Sequence, residues 1–147
     1  ELLWQSKVQV LKTHPEYLVS LEYQSLPEHE DALIVRANEP LLRTALLNLM
    51  TNGCKYSPDQ RVHVQAWFAA NGAHLLEVSD KGPGIPPEEI PLIFEPFYRS
   101  PRHLGIKGTG VGLSLVRSIL ELHQITIEVT PAPTGGAVFL LRFPAAS

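Results

Sequence analysis

Only one cysteine, Cys54, occurs in the 147 residues. That excludes a disulfide within the chain and a metal centre built on several thiolates. A lone thiol fits a reducing compartment. Charge of one sign is lacking too: 12 basic residues stand against 15 acidic ones, a net charge of −3. This balance excludes the basic footprint of a nucleic-acid binder, so no nucleic-acid partner is expected. No apolar run approaches the about 20 residues needed to cross a bilayer as a helix. No signal-peptide pattern opens the chain, and neither internal repeats nor low-complexity tracts are found. The first residue is Glu1 rather than Met, so the chain reads as a fragment whose parent has room for membrane segments upstream. What is present is ordinary for a folded domain. Hydrophobic residues make up 44% and charged residues 18%, enough for a core, and the length suits one domain over residues 1–147.

Thirteen prolines mark the breaks between segments, notably Pro83, Pro86, Pro87, Pro91, Pro131 and Pro133. Glu1 to Lys12 is expected as a short amphipathic helix that stops before Pro15. Tyr17 to Tyr23 and Ala32 to Arg36 read as strands. Asn38 is a candidate N-cap, followed by Glu39 and Pro40 in a first turn and a helix to about Asn52. Along it Leu42, Ala45, Leu46, Leu49 and Met50 keep helical spacing. Arg61 to Phe68 and Leu75 to Ser79 form an expected hairpin around Asn71-Gly72. A short helix is expected over Glu88 to Phe94, a basic loop over Pro96 to Gly108, and an apolar helix over Gly110 to His123. Strands over Ile125 to Val129 and Ala137 to Phe143 close the chain. Adjacent strand pairs argue against a doubly wound parallel fold. The expected class is α+β, a two-layer α/β sandwich whose mixed, mostly antiparallel sheet is covered by helices.

Three constellations carry chemistry. Asn48, Asn52 and Lys55 stand at i, i+4 and i+7, on one helix face. Two amides and an ammonium there suit Mg²⁺ and polyphosphate, since Mg²⁺ takes few hard oxygen ligands from protein and the rest from phosphate and water. Asp80-Lys81-Gly82-Pro83-Gly84-Ile85-Pro86 follows a strand. A carboxylate at a strand end can accept hydrogen bonds from an exocyclic amine, and the glycines let backbone approach a flat ligand. Gly108-Thr109-Gly110-Val111-Gly112-Leu113 opens a helix, whose exposed N–H groups and dipole favour an anion. It is no Rossmann fingerprint, because no strand precedes it, and no Walker A loop, because no Gly-Lys-Ser/Thr follows. Taken singly, these are equally a solvated helix face, a Gly-Pro turn and a glycine-rich loop.

Taken in order they resemble the nucleotide-binding boxes of sensor histidine kinases. Asn48 to Pro58 resembles the N box, Asp80 to Pro86 the G1 box, Phe94-Glu95-Pro96-Phe97-Tyr98-Arg99 the F box and Gly108 to Leu113 the G2 box. The resemblance covers nearly the whole chain. It implies the Bergerat fold, shared with gyrase, heat-shock chaperone and mismatch-repair ATPases, with ATP between helices and a lid over residues 96–110. By motif position, Asp80 would bind the adenine amine, with Gly82, Gly84 and Ile85 beside the base. Asn52 would ligate Mg²⁺ with Asn48 next to it, Lys55 would contact phosphate, and Tyr56 would pack on the purine or ribose. Asn52 and Lys55 would serve phosphoryl transfer. Gly108, Thr109, Gly110, Val111, Gly112 and Leu113 would line the closing lid, where Arg99, Arg102 and Lys107 would neutralise phosphate.

The resemblance also implies what the chain omits. A phosphoacceptor histidine followed by an acidic residue and a proline is absent from the contexts of His14, His29, His63, His74, His103 and His123. These read as surface or helix-end residues, with His103 in the lid the one to test. The implied partners are a histidine-bearing dimerisation domain of the same kinase and, through the full-length protein, a response regulator. The fragment is expected to be monomeric and to be the cytoplasmic part of a membrane-bound sensor. Three departures stand out. Gly53 replaces the usual Ala after the second Asn and is expected to loosen the helix end. The last glycine box, Thr134-Gly135-Gly136-Ala137, is degenerate, and the lid is short. A nucleotide-free interaction module and an anti-sigma-factor-like serine kinase are the alternatives. Cys54 falls on a different helix face from Asn52 and Lys55 and reads as a buried structural thiol.

Overall fold

The computed structural model describes residues 2–23, 38–69, 73–98, 112–132 and 135–144, and among these described residues apolar periodicity and proline placement mark out eight elements. They are α1 (Leu2–Thr13), β1 (Leu18–Tyr23), α2 (Glu39–Tyr56), β2 (Arg61–Phe68), β3 (His74–Asp80), α3 (Gly112–Leu122), β4 (Thr126–Pro131) and β5 (Ala137–Arg142). The strands form one sheet in the order β1-β2-β3-β5-β4. Only β1–β2 is parallel; the other three pairings are antiparallel. This is the expected α+β sandwich. The second expected strand, over 32–36, and the tip of the hairpin at 71–72 lie outside the described residues. No described helix is long and apolar enough to cross a membrane.

Period-two alternation gives the sheet two unlike faces. Register aligns Val64, Val78 and Phe139 in one row and Ala66, Leu76 and Leu141 in the next. These rows carry the core and meet Leu42, Ala45, Leu46, Leu49 and Met50 of α2 and Val116, Ile119 and Leu120 of α3. The opposite face carries Glu22, His63, Gln65 and Glu77, with Glu22 accepting from both His63 and Gln65. Asp80 pairs with Val62, two residues beyond Val78. The same alternation therefore turns Asp80 towards the helices, at the rim of the core.

Asn38 caps α2 as expected, its side chain accepting from the Leu41 N–H at 3.1 Å. The helix runs on to Tyr56, beyond the expected end near Asn52, which makes Lys55 and Tyr56 helical. Glu88 to Phe94 is not a helix. It is a chain of turns, with Leu92 N–H and Glu95 N–H each donating to the carbonyl three residues back. Pro91 explains the difference: it lacks the N–H that an α-helix would need there, and its ring crowds the carbonyl four residues back.

Gly53 also behaves differently from expectation. It is a buried, continuous part of α2, and the helix lies close against the sheet there. A methyl group there would stand 2.5 Å from Val62 Cγ2 and 3.0 Å from its Cβ, with Asp80 Cβ at 3.8 Å. Val62 is β-branched and fully buried, so its rotamer has little freedom to yield. Gly53→Ala is therefore expected to destabilise the domain by about 1–3 kcal/mol despite alanine's higher helix propensity. Chemical denaturation of the variant checks this; a gain in stability would contradict the close packing.

Candidate functional site

Asp80 ends β3 where α2, the 81–84 turn and the start of β5 meet. Its Oδ1 accepts the Gly82 N–H at 2.8 Å and the Ala137 N–H at 3.4 Å. Among the described residues Oδ2 receives no protein donor. Burial pushes the Asp80 carboxyl above its ordinary pKa; the Gly82 and Ala137 donors oppose this, and the negative charge of Asp59 adds to it. A carboxylate partly withdrawn from water, with one oxygen given no donor among the described residues, is a good receptor for a ligand donor.

Three glycines allow this arrangement. A methyl group on Gly82 would stand 2.6 Å from the Tyr56 carbonyl oxygen, so the turn lies directly against the end of α2. Gly84 takes φ +78° and faces the Gly136 carbonyl. Gly136 takes φ +90°, and a methyl group there would lie 2.0 Å from the Asp80 carbonyl oxygen. No other residue fits that position without moving the strand end. The pair Gly135-Gly136, read from sequence as a degenerate box, therefore delivers the Ala137 N–H to Asp80. Its signal was visible as two glycines before a strand, but its target was not. Ile85 packs against the core from this turn.

Asn48, Asn52, Lys55 and Tyr56 lie along the partly exposed side of α2. Asn48 Nδ2 donates to the Thr44 carbonyl at 2.9 Å, which turns Oδ1 towards α3. A methyl group on Gly112, the first residue of α3, would stand 3.2 Å from that Oδ1 and 4.0 Å from Asn52 Nδ2. The glycine-box end of α3 is thus brought onto the two asparagines. Leu113 follows it into the core. The Lys55 ammonium lies 5.1 Å from the centroid of the Tyr56 ring. Cys54 is fully buried and its Sγ lies 3.6 Å from the Leu18 carbonyl. Burial pushes its thiol up to about 12, in keeping with an inert structural residue.

The donor set bears on Mg²⁺. No group of three or more His, Cys, Asp or Glu side chains is placed to hold a metal among the described residues. Two neutral amides cannot retain Mg²⁺ alone. They fit an ion that arrives with phosphate oxygens and keeps most of its shell. Arg99, Arg102, His103, Lys107, Gly108, Thr109, Gly110 and Val111 lie outside the described residues.

The same fold is found in known proteins. Residues 37–147 match the family described as histidine kinase-, DNA gyrase B- and HSP90-like ATPase. The phosphate regulon sensor protein PhoR of Pseudomonas aeruginosa is 36% identical over 115 residues, covering 76% of this chain and 26% of that protein. The chain thus spans about a quarter of that relative. The mycobacterial sensor histidine kinase MprB superposes with a TM-score of 0.78 at 28% identity, covering 97% of this chain and 91% of the other. Full-length ShkA, solved in complex with AMPPNP, gives 0.76 at 26% identity, covering 99% of this chain and 30% of the other. The chain belongs to the histidine kinase-, DNA gyrase B- and HSP90-like ATPase family, and its relatives are sensor histidine kinases.

Proposed function

We propose that this domain binds ATP with Mg²⁺ and presents the γ-phosphoryl group to a histidine on a separate dimerisation domain of the same kinase, in two-component signalling. The observation that carries the reading is Asp80: a partly buried carboxylate whose Oδ1 is held by the Gly82 and Ala137 N–H groups and whose Oδ2 receives no donor among the described residues. The exocyclic amine of adenine is a donor suited to that oxygen. The AMPPNP bound to ShkA supports a nucleotide as the ligand.

The chain's own residues then have distinct work. Asp80 accepts from the base, with Gly82 N–H and Ala137 N–H holding the carboxylate in place. Asn48 and Asn52 offer amide oxygens on the phosphate side, and Lys55 offers a point charge there. Gly112 keeps the start of α3 within reach of the same phosphates, where helix N–H groups favour an anion. Mg²⁺, when bound with the triphosphate, supplies neutralisation of the charge shared by the transferring oxygens. The acceptor histidine nitrogen attacks phosphorus, the bond to the bridging oxygen breaks, and ADP leaves. Because the transition state is loose, positioning and charge stabilisation are the protein's contribution. The acceptor histidine, and with it the response regulator that takes the phosphoryl group, belong to other parts of the system. The isolated domain is then a monomer that binds nucleotide and turns it over hardly at all.

Calorimetric titration with a non-hydrolysable ATP analogue tests this. Wild type should bind, and Mg²⁺ should strengthen binding. Asn52→Ala should remove the Mg²⁺ effect, and Asp80→Asn should weaken binding about ten- to a hundredfold, as loss of a charge-assisted hydrogen bond does. No binding by folded wild-type protein would favour a nucleotide-free interaction module; unchanged affinity in both variants would place the site elsewhere.

Stability should move the other way. The folded-state pKa of Asp80 is raised, so the folded protein favours the neutral acid. That contribution is present below the ordinary carboxylate range and lost as pH rises through the folded pKa. At neutral pH the ionised group is therefore a burden, and Asp80→Asn is expected to raise Tm there. The gap between variant and wild type should close as the pH falls through the carboxylate range. Thermal melts across pH check it; a variant less stable than wild type at pH 7 would contradict the desolvation.

A further inference from the structure

The last residue of the α3 region makes a contact that the nucleotide boxes do not account for. His123 follows Leu122, and its ring bridges two backbone groups. Nδ1 lies 2.8 Å from the Ile119 carbonyl, and Nε2 lies 2.9 Å from the N–H of Asn38, 85 residues away. A carbonyl only accepts and an N–H only donates. The ring is therefore fixed as the neutral tautomer with its proton on Nδ1, and Nε2 accepts from Asn38. The two histidine contacts require the ring in one orientation only.

Asn38 is the N-cap of α2, already occupied in other ways. Its side chain accepts from Leu41 N–H and its carbonyl from Leu42 N–H. His123 takes the one remaining backbone group, the N–H. The far end of α3 is fixed as well. The helix ends with Gln124 at φ +58° and the Ile125 N–H returning to the Leu120 carbonyl at 2.9 Å, a left-handed cap that sets where His123 stands. The bond thus ties a rigid helix end to a rigid helix start.

The two helices run antiparallel, with Gly112 beside Asn48 and Asn52, and His123 beside Asn38. From Asn38 to Asn48 is about 15 Å along α2, and from Gly112 to His123 about 16 Å along α3, at the usual helical rise. The lengths match, so the clasp at one end sets the axial register at the other. A slide of α3 along α2 would carry the glycine-box end off the asparagines. Apolar residues of α2 and α3 share the core, and their interdigitation resists separation and sets the register as finely as side-chain packing allows. The single directional bond adds to that packing.

We infer that His123 is a positioning residue for the nucleotide site: through its Nε2 bond to the Asn38 N–H it holds the start of α3 in register with Asn48 and Asn52. The inference rests on the nucleotide reading of that site for its functional consequence, but not for the bond itself. Misplacement of a binding group by about 1 Å is enough to matter at such a site.

Two measurements on labelled protein separate the bond from its consequence. In nucleotide-free wild type, NMR should show the Nδ1-protonated tautomer of His123 and a scalar coupling between the Asn38 amide nitrogen and His123 Nε2. Absence of that coupling overturns the inference. Affinity for the Mg²⁺ complex of a non-hydrolysable ATP analogue is then compared in His123→Leu and His123→Gln, well below their melting transitions. Leucine keeps bulk and removes the acceptor. Glutamine keeps an oxygen near the place of Nε2. The leucine variant should lose about five- to tenfold in affinity and shift the side-chain amide resonance of Asn48, and the glutamine variant should recover most of both. A purely structural histidine would lower Tm in the leucine variant and leave affinity and the Asn48 resonance unchanged, which overturns the inference. If the leucine variant does not fold, the coupling and the glutamine variant still decide: loss of affinity in a folded glutamine variant that retains the bond overturns it. If wild type binds no analogue, the nucleotide reading falls, and the clasp stands or falls on the coupling and the Asn48 resonance.

Discussion

The constraint on which the site depends is the approach of three backbones to the end of β3. Gly53 of α2, Gly82 of the following turn and Gly136 before β5 all leave no room for a side chain against Val62, Tyr56 or Asp80. Together they confine Asp80 at the end of β3. The result is a carboxylate that is held, partly dried and offered. Nothing in the core requires it: an amide of the same shape would satisfy Gly82 and Ala137 as well. A group retained at a position where it opposes stability is best understood through what it binds.

A second constraint orders the two helices. Asn48 and Asn52 become useful together only if α3 begins beside them. Apolar packing brings α2 and α3 into contact and constrains their register through interdigitating side chains. The absence of a Cβ at Gly112 permits the approach, and the His123 bond at the opposite end directs it. The proposed adenine side and the proposed phosphate side of the site are therefore built by different means. One is a strand end boxed in by glycines; the other is a helix pair held in register.

Much of this was legible in the sequence wherever the controlling interactions are local. The N-cap at Asn38 and the apolar stripe of α2 were readable because helical period and capping act within a few residues. The same holds for the hairpin strands, whose alternation is visible over seven or eight positions. Asn48, Asn52 and Asp80 could be singled out only because the motifs that carry them stand in an order that resembles a known family; each alone reads equally as a solvated helix face or a turn. The expected short helix over Glu88 to Phe94 is a chain of turns, because Pro91 falls where a helix would need a donor. Gly53 and Gly136 were read as defects because the atoms that demand glycine there, in Val62 and Asp80, are distant in sequence. His123 was read as an ordinary helix end, since its partner lies 85 residues away. Close approach and long-range hydrogen bonds are properties of the fold, and a single sequence shows one partner without the other.

The central claim is that Asp80 Oδ2 is an acceptor kept for a ligand's amine. It is tested most directly by following the side-chain carboxyl ¹³C resonance of Asp80 through a pH titration, with and without a saturating adenine nucleotide. Free protein should titrate above the ordinary carboxylate value, because burial disfavours the charge. With nucleotide bound, a new donor to the charged form should lower that pKa. An Asp80 titration that the nucleotide leaves unmoved, at saturation, would contradict the claim.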